Sequence, residues 1–578
     1  MIDYKLWTKG VAYPDYMVED GLRALASGYL IEGETPKSRM EHIGRQVELE
    51  TGIRGISDNV FDALWKGWIG LASPVWSNFG RVRGLPISCF GSYIHDSILG
   101  FVDSSKEVAI MNSMGGGTSG YLGDVRHSGS AISDSVATAD GVMTPVSMLN
   151  NTVKKVSQGG VRRGMMALYL PFSHKDIMDF LEIREIGNEI QTITNAVCIS
   201  KKDVDKILSG DEVALKTWAR IQECRNNLGV PYILFTENAN NHESTPAPYG
   251  TDHYKILASN LCNEIYLPSS NDESFVCCLS SLNLAKYDEW KDSNVIDTAV
   301  ILLDAVMSEF IRKASKVEGM QKAVKFATRH RALGLGTFGE HSYLQENSIP
   351  FGSIGHESFI RVSYSKIKSK ALKSSELLAE KFGACEVNAE YGINRRNTTL
   401  LAVAPTTTNA LIGGDVSAGI EPIVSNVVQR KVAKSSFTKK NETLKKLLIE
   451  KGFNNTDTWD SIIQNFGSIQ HLKFLTDDEK EVFKTAYEIN QYGIIKMASI
   501  RQKFICQGQS LNLFVLPNAT AQSRSELCLT AYFYGLKGLY YQRSESTLKE
   551  GMNVDDVKAY MSKVAESAMD NACLSCEG

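Results

Sequence analysis

Apolar side chains in residues 41–49 and 59–71 recur every three or four positions, and residues 1–85 as a whole read as mainly helical. That spacing gives a helix one buried stripe. From Gly84 onward the pattern changes. Short apolar runs, VRRGMMALYLPF at 161–172 and TLLAVAP at 399–405, read as buried strands, and stretches such as 141–156 and 478–503 between them read as helices. Strands alternating with helices predict an α/β architecture with parallel pairing. After Tyr541 the chain becomes polar, with one further helical stretch at 554–569 and no period from Asp570 on. No internal repeat and no long linker interrupts this order.

The glycine clusters add little chemistry by themselves. GLGTFG at 334–339 fits the G-x-G-x-x-G dinucleotide pattern, but it follows the basic, helix-like KAVKFATRHRA and not a strand. A dinucleotide site needs the strand–turn–helix context, so this run is predicted to be a tight turn. MGGGTSG at 114–120 reads as a flexible loop after a helix, and SQGGVRRG at 157–164 as a loop entering a strand. Both are candidate effector or substrate loops.

Composition narrows the class. At 578 residues, 43% of them apolar, the chain has ample material for a core larger than a typical domain's. The net charge of −4, with no segment dominated by Lys and Arg, argues against direct nucleic-acid binding, which rests on a basic surface. An anionic ligand should therefore be small and held locally. The eleven cysteines are odd in number and irregular in spacing, unlike a secreted disulfide framework. The start, MIDYKLWTKG, lacks a signal-peptide pattern, and no apolar run reaches membrane-spanning length. The expected compartment is cytoplasmic and reducing, with no membrane association, so its thiols are reactive or buried.

Two thiol patterns carry the chemistry. The chain ends in Cys573-Leu-Ser-Cys576-Glu-Gly. A Cys-x-x-Cys pair on a solvated end can form one disulfide and be carried to a site elsewhere on the protein. A zinc site would need a second ligand pair, and no other Cys-x-x-Cys exists here. Upstream, Asn260-Leu-Cys262-Asn-Glu264 puts an amide, a thiol and a carboxylate at alternate positions, which share a face if the segment is extended. No metal site is expected.

NLCNEI (260–265), VCCLSSLNL (276–284), SQGGVRRG (157–164), APTTTNALIGG (404–414), AGIEP (418–422), KGLYYQR (537–543) and the terminal CLSC together resemble the large catalytic subunit of class I ribonucleotide reductases. The resemblance runs from about Gly28 to the last residues, with the motifs in the family's order. It implies a ten-stranded α/β barrel over 86–545, a helical domain over 1–85 and a flexible redox-active tail over 546–578. The implied reaction is reduction of ribonucleoside diphosphates to deoxynucleotides for DNA synthesis. By resemblance, Cys262 becomes a thiyl radical that takes the 3′ hydrogen, Glu264 removes the 3′-hydroxyl proton, and Asn260 is its hydrogen-bonding partner. Cys89, in LPISCF, and Cys277 correspond to the pair that reduces the 2′ carbon and ends as a disulfide, with Cys278 a packed neighbour. Tyr540 and Tyr541 match the tyrosine pair that relays the radical, and Cys573 with Cys576 the tail dithiol.

The same resemblance places the substrate diphosphate on Thr406, Thr407 and Thr408, which follow a strand and can cap a helix whose free N–H groups attract phosphate. The family often has Ser-Glu-Thr there. Ser88 and Arg162 fall among the substrate-binding positions. Asp96 and Arg126 fall at the specificity site for a dNTP or ATP effector, and Gln158 and Arg162 would connect it to the substrate base. Implied partners are a radical-generating, metal-containing small subunit, thioredoxin or glutaredoxin, and a second copy of the chain. No cofactor is expected on this chain itself. Only 88 residues precede Cys89, and GYLIEGETP, which in the family follows the ATP cone, begins at Gly28. The expectation is a short form without that cone, in which dATP acts at the specificity site alone. Two alternatives remain: a cobalamin-dependent reductase, which needs no tyrosine relay, and a non-catalytic regulatory paralogue.

Overall fold

The computed structural model describes residues 12–133, 136–156, 164–432 and 435–544. Five strands, Cys89–Tyr93, Gly117–Tyr121, Met166–Pro171, Ile193–Ile199 and Tyr232–Phe235, run parallel in that order. A second parallel set starts with Phe275–Asn283 beside Leu333–Phe338. It continues through parallel bridges from Leu335 to Leu401 and from Val403 to Gln509. Leu513–Val515 then runs parallel to Gln542–Ser544, and the Tyr540 N–H donates to the Leu511 carbonyl.

The two sets meet antiparallel at both seams. Cys89–Tyr93 pairs with Phe275–Asn283, and Gly538–Leu539 pairs with Tyr232–Phe235. The circuit therefore closes into the ten-stranded α/β barrel expected from the sequence, two five-stranded parallel halves joined head to tail. Closure removes open edges. Helices Val295–Ala314 and Gln321–His330 pack on Phe275–Asn283, all nine residues of which are buried. Such two-sided burial is why the parallel strands read as continuous apolar runs without alternation.

The amino-terminal helices Glu19–Gly28, Pro36–Thr51 and Ile56–Trp65 share one continuous core with the barrel. Pro36–Thr51 starts in a capping box made by Thr35 and Ser38, with Pro36 in its first turn, and ends on Gly52 at φ 60°. A smaller second core, including Val427, Leu444, Trp459, Ile462 and Phe483, lies within residues 427–483.

Several expectations are corrected. The helix read over 59–71 ends at Trp65, and Ile69–Leu71 is a strand against Phe275–Asn283. The stretch 478–503 is two helices, Asp477–Val482 and Gln491–Gln502, because the chain between them caps the second helix with Asn490. MGGGTSG is a loop only as far as Gly116, since Gly117–Tyr121 is a buried strand. GLGTFG is not a tight turn: Leu333–Phe338 is a fully buried barrel strand. A Cβ on Gly334 would lie 2.5 Å from Leu279 Cδ2 and 3.2 Å from Cys277 Sγ, and one on Gly336 would lie 2.5 Å from the Ala402 carbonyl oxygen. These glycines serve close strand packing, not a phosphate.

Candidate active site

Residues 260–264 are not extended. The Asn263 N–H donates to the Asn260 carbonyl, and Asn263 holds φ 59°, a left-handed conformation that asparagine tolerates better than most residues. The alternate-face reading fails at this point, yet the tight turn folds Asn260 and Glu264 back onto each other. Asn260 Nδ2 donates to Glu264 Oε1 at 2.8 Å and to Cys89 Sγ at 3.2 Å. Its Oδ1 accepts from the backbone N–H groups of Glu264 (2.9 Å) and Ile265 (3.0 Å). These two donors fix the orientation of the amide.

The turn is gripped from both halves of the barrel, so it occupies the interior. Tyr169 Oη donates to the Asn260 carbonyl at 2.7 Å. Asn263 Nδ2 donates to the carbonyls of Ile233 (3.1 Å) and Leu539 (3.0 Å). The Gly508 N–H donates to the Glu264 carbonyl, and Ser510 Oγ lies 3.1 Å from Glu264 Oε2 and 2.5 Å from the Cys262 carbonyl oxygen. Asn260, Cys262 and Glu264 have no solvent exposure.

Cys89 and Cys277 stand directly opposite each other across the antiparallel seam. Directly paired residues there have Cα atoms about 4.5–5.5 Å apart, within the span a disulfide bridges, and side chains on one face. Burial pushes the Cys277 thiol well above its ordinary value, partly offset by Gln507, whose Nε2 is 3.5 Å from Cys277 Sγ. It is therefore a protonated thiol at neutral pH, able to give up hydrogen. Burial likewise raises Cys278, which pairs with Leu333 on the far side of the same strand. One amide thus touches both the carboxylate and a member of the facing thiol pair.

The ribonucleotide reductase barrel-domain model matches residues 87–217, 211–392 and 388–542. The chain belongs to the ribonucleotide reductase family. It is 30% identical over 638 residues to the ribonucleoside-diphosphate reductase large subunit of Invertebrate iridescent virus 3, spanning 96% of this chain and 98% of that one. It is 28% identical over 615 residues to the corresponding large subunit of Danio rerio, across 91% of this chain and 75% of that one. Among solved structures, the Actinobacillus ureae class Id ribonucleotide reductase alpha subunit superposes with a TM-score of 0.86 at 43% identity, covering 92% of this chain and 98% of that one.

Within this ribonucleotide reductase barrel, Tyr540 and Tyr541 have ring centroids 4.4 Å apart. Tyr232 lies 4.6 Å from Tyr540 and 5.0 Å from Tyr541, a third ring that nothing in PYILF announced. Asn263 ties the Cys262 turn to Leu539, the residue before Tyr540. Thr406 precedes the short helix Thr407–Ile412 at φ 51°, but its side chain does not cap that helix; its Oγ1 accepts from the Gly419 N–H at 2.7 Å. Arg126 Nε donates to Asp96 Oδ2 at 2.7 Å, an ion pair between an exposed arginine and a half-buried aspartate. Ser88 is buried one residue before Cys89, and its carbonyl accepts from the Gly117 N–H. Gln158, Arg162, Cys573 and Cys576 lie outside the described residues.

Sequence reasoning missed Ser510, Gln507 and Tyr169. For the first two a signal existed: CQGQSLNLF puts polar side chains inside an otherwise apolar run. Among the described residues no group of three or more His, Cys, Asp or Glu is arranged to hold a metal ion, and no helix is long and apolar enough to cross a membrane.

Proposed function

We propose that this chain is the catalytic subunit of a ribonucleoside-diphosphate reductase, with Cys262, Glu264, Asn260, Cys89 and Cys277 as its reaction centre. The observation that carries the reading is the single buried amide of Asn260 in contact with both Glu264 and Cys89, while Cys89 faces Cys277. In this assignment the Cys262 thiyl takes the 3′ hydrogen of the ribose and Glu264 takes the 3′-hydroxyl proton. The 2′ hydroxyl leaves as water with a proton from the facing thiols. The other thiol hydrogen ends on the 2′ carbon, Cys89 and Cys277 having together supplied two electrons and become a disulfide; Cys262 returns the hydrogen to the 3′ carbon and Glu264 the proton to the 3′ oxygen. Burial serves this chemistry twice, by keeping the Cys277 hydrogen on sulfur and by excluding water from a radical.

Tyr540 and Tyr541 relay the radical from a metal-containing small subunit, since their rings lie close, tilted against each other, and the backbone of Leu539 is bonded to the Cys262 turn. The likeness to a class Id alpha subunit supports this relay over a cobalamin-dependent source. Residues 406–408 hold the substrate diphosphate through the backbone, with Ser88 and Arg162 at the substrate. Asp96, Arg126 and Gln158 bind a dNTP or ATP effector. Thioredoxin or glutaredoxin restores the tail dithiol, and the working unit is a homodimer in the cytoplasm.

Replacing Cys262 by Ser tests the reading. The variant should bind nucleotide normally and give no deoxynucleoside diphosphate with a small subunit and dithiothreitol, because the covalent O–H bond of serine is much stronger than the S–H bond of cysteine and does not give up its hydrogen atom to form the radical. Product from the purified variant above contamination would refute it.

A further inference from the structure

The strand segment 508–510 holds the catalytic turn at two points. The Gly508 N–H donates to the Glu264 carbonyl, and Ser510 Oγ contacts both Cys262 and Glu264. The segment is itself pinned, since the Val403 N–H donates to the Gly508 carbonyl (3.0 Å) and the Ser510 N–H to the Val403 carbonyl (2.9 Å). Ser510 is 2% exposed. Its hydroxyl is therefore placed by the barrel wall and not by solvent.

A serine hydroxyl has one hydrogen and two acceptor sites. Here it faces two acceptors, the Cys262 carbonyl at 2.5 Å and Glu264 Oε2 at 3.1 Å, and can donate to one of them at a time. The protonation state of Glu264 decides which. An ionised carboxylate draws the hydrogen, because a charge-assisted bond is roughly twice as strong as a neutral one. A protonated Glu264 can donate its own hydrogen to Ser510 Oγ, and the serine hydrogen then turns to the Cys262 carbonyl. Asn260 Nδ2 on the other oxygen can only donate. Ser510 is thus a neighbour whose polarity can reverse while the heavy atoms stay in place.

We propose that Ser510 is a positioning residue for proton transfer at Glu264, its hydroxyl switching between the Glu264 carboxylate and the Cys262 carbonyl as Glu264 gains and loses the 3′-hydroxyl proton. No net proton passes through it. The inference rests on the assignment of Glu264 as the base. Removing the hydroxyl takes a donor from the ionised form, so the acid limb of the rate profile moves to higher pH.

The experiment measures single-turnover product formation by pre-reduced chain with a small subunit from pH 6 to 9. Ser510→Ala should lower the rate by roughly ten- to a hundredfold near neutrality, with little change in KM for the diphosphate, and raise the acid limb by about one to two pH units. Ser510→Thr keeps the hydroxyl and should restore the limb. If the alanine variant does not fold by thermal unfolding, Ser510→Gly removes the same hydroxyl without added bulk and is read in its place. An acid limb identical to wild type in the hydroxyl-free variant overturns the inference. Glu264→Gln separates the two claims: if it stays active the base assignment fails, whereas if it is inactive and Ser510→Ala behaves as wild type, the role of Ser510 alone fails.

Discussion

Asn260 performs two jobs through two atoms, and substitution can separate them. Its Oδ1 satisfies two buried backbone N–H groups, those of Glu264 and Ile265, while its Nδ2 serves Glu264 and Cys89. Asn260→Ala strands both N–H groups. Each buried donor left without a partner costs about 1–3 kcal/mol, so the expected destabilisation is roughly 2–6 kcal/mol, a large part of an ordinary folding free energy. Asn260→Asp is nearly isosteric and keeps the acceptor, so the turn should fold. It replaces the donor, however, with an oxygen 2.8 Å from Glu264 Oε1. Two carboxylates that close cannot both ionise in a dry site; they share one proton, and the remaining charge, hydrogen-bonded by its neighbour, is a weaker base. The aspartate variant should therefore show a denaturant midpoint near wild type around pH 6, with turnover at pH 7 down by on the order of a hundredfold or more. Denaturant unfolding and diphosphate-reduction assays on both variants decide it. An alanine variant as stable as wild type, or an aspartate variant with wild-type turnover, would refute the division of labour.

Phe at Tyr540 or Tyr541 should stop turnover with the small subunit and leave thermal unfolding nearly unchanged, since each loses one hydroxyl and keeps its ring in the aromatic cluster; near wild-type activity in either would reopen the cobalamin reading. Replacing Cys573 and Cys576 by Ser should leave one product per pre-reduced site but abolish steady turnover with thioredoxin or glutaredoxin, with small dithiols restoring part of it; normal turnover with a protein reductant would make the tail pair incidental. Burial holds the fully enclosed Lys537 ammonium down at about 7 against an ordinary 10.5. Between those values the unfolded chain binds a proton that the native chain does not, so stability should rise with pH from about 7 towards 10.5, and Lys537→Met should flatten that rise. Parallel pH dependence in urea unfolding of the two proteins would show that Lys537 is not the group responsible.

The α/β class was legible because buried parallel strands leave a sequence mark. A strand covered on both faces is apolar without alternation, as in Met166–Pro171 and 399–405, and residues three or four apart mark the helices between. Boundaries and glycine runs were less legible. GLGTFG has the composition of a turn, and only the nearness of Leu279, Cys277 and the Ala402 carbonyl shows that glycine is needed there for strand contact. The break at 483–490 was likewise hidden, because a capping asparagine and a loop can sit inside a helical period.

For the site, the sequence by itself supplied the candidate groups: a thiol between an amide and a carboxylate and, through the family resemblance, a second pair of cysteines far apart in the chain and a tyrosine pair near its end. Local spacing suggested that Asn260 and Glu264 share a face through an extended segment; tertiary structure brings them together through a turn, because Tyr169 and Ser510 bond its backbone from the barrel wall and its own Asn263 anchors it to the Ile233 and Leu539 carbonyls. Cys89 and Cys277 become neighbours only where the two halves of the barrel meet antiparallel. Residues brought together across 188 positions of chain carry no local pattern, since strand register in a closed barrel is set by packing on every side at once. Ser510 is the limiting case: its hydroxyl meets the Cys262 carbonyl and Glu264 only where the wall of the barrel places it between these two acceptors.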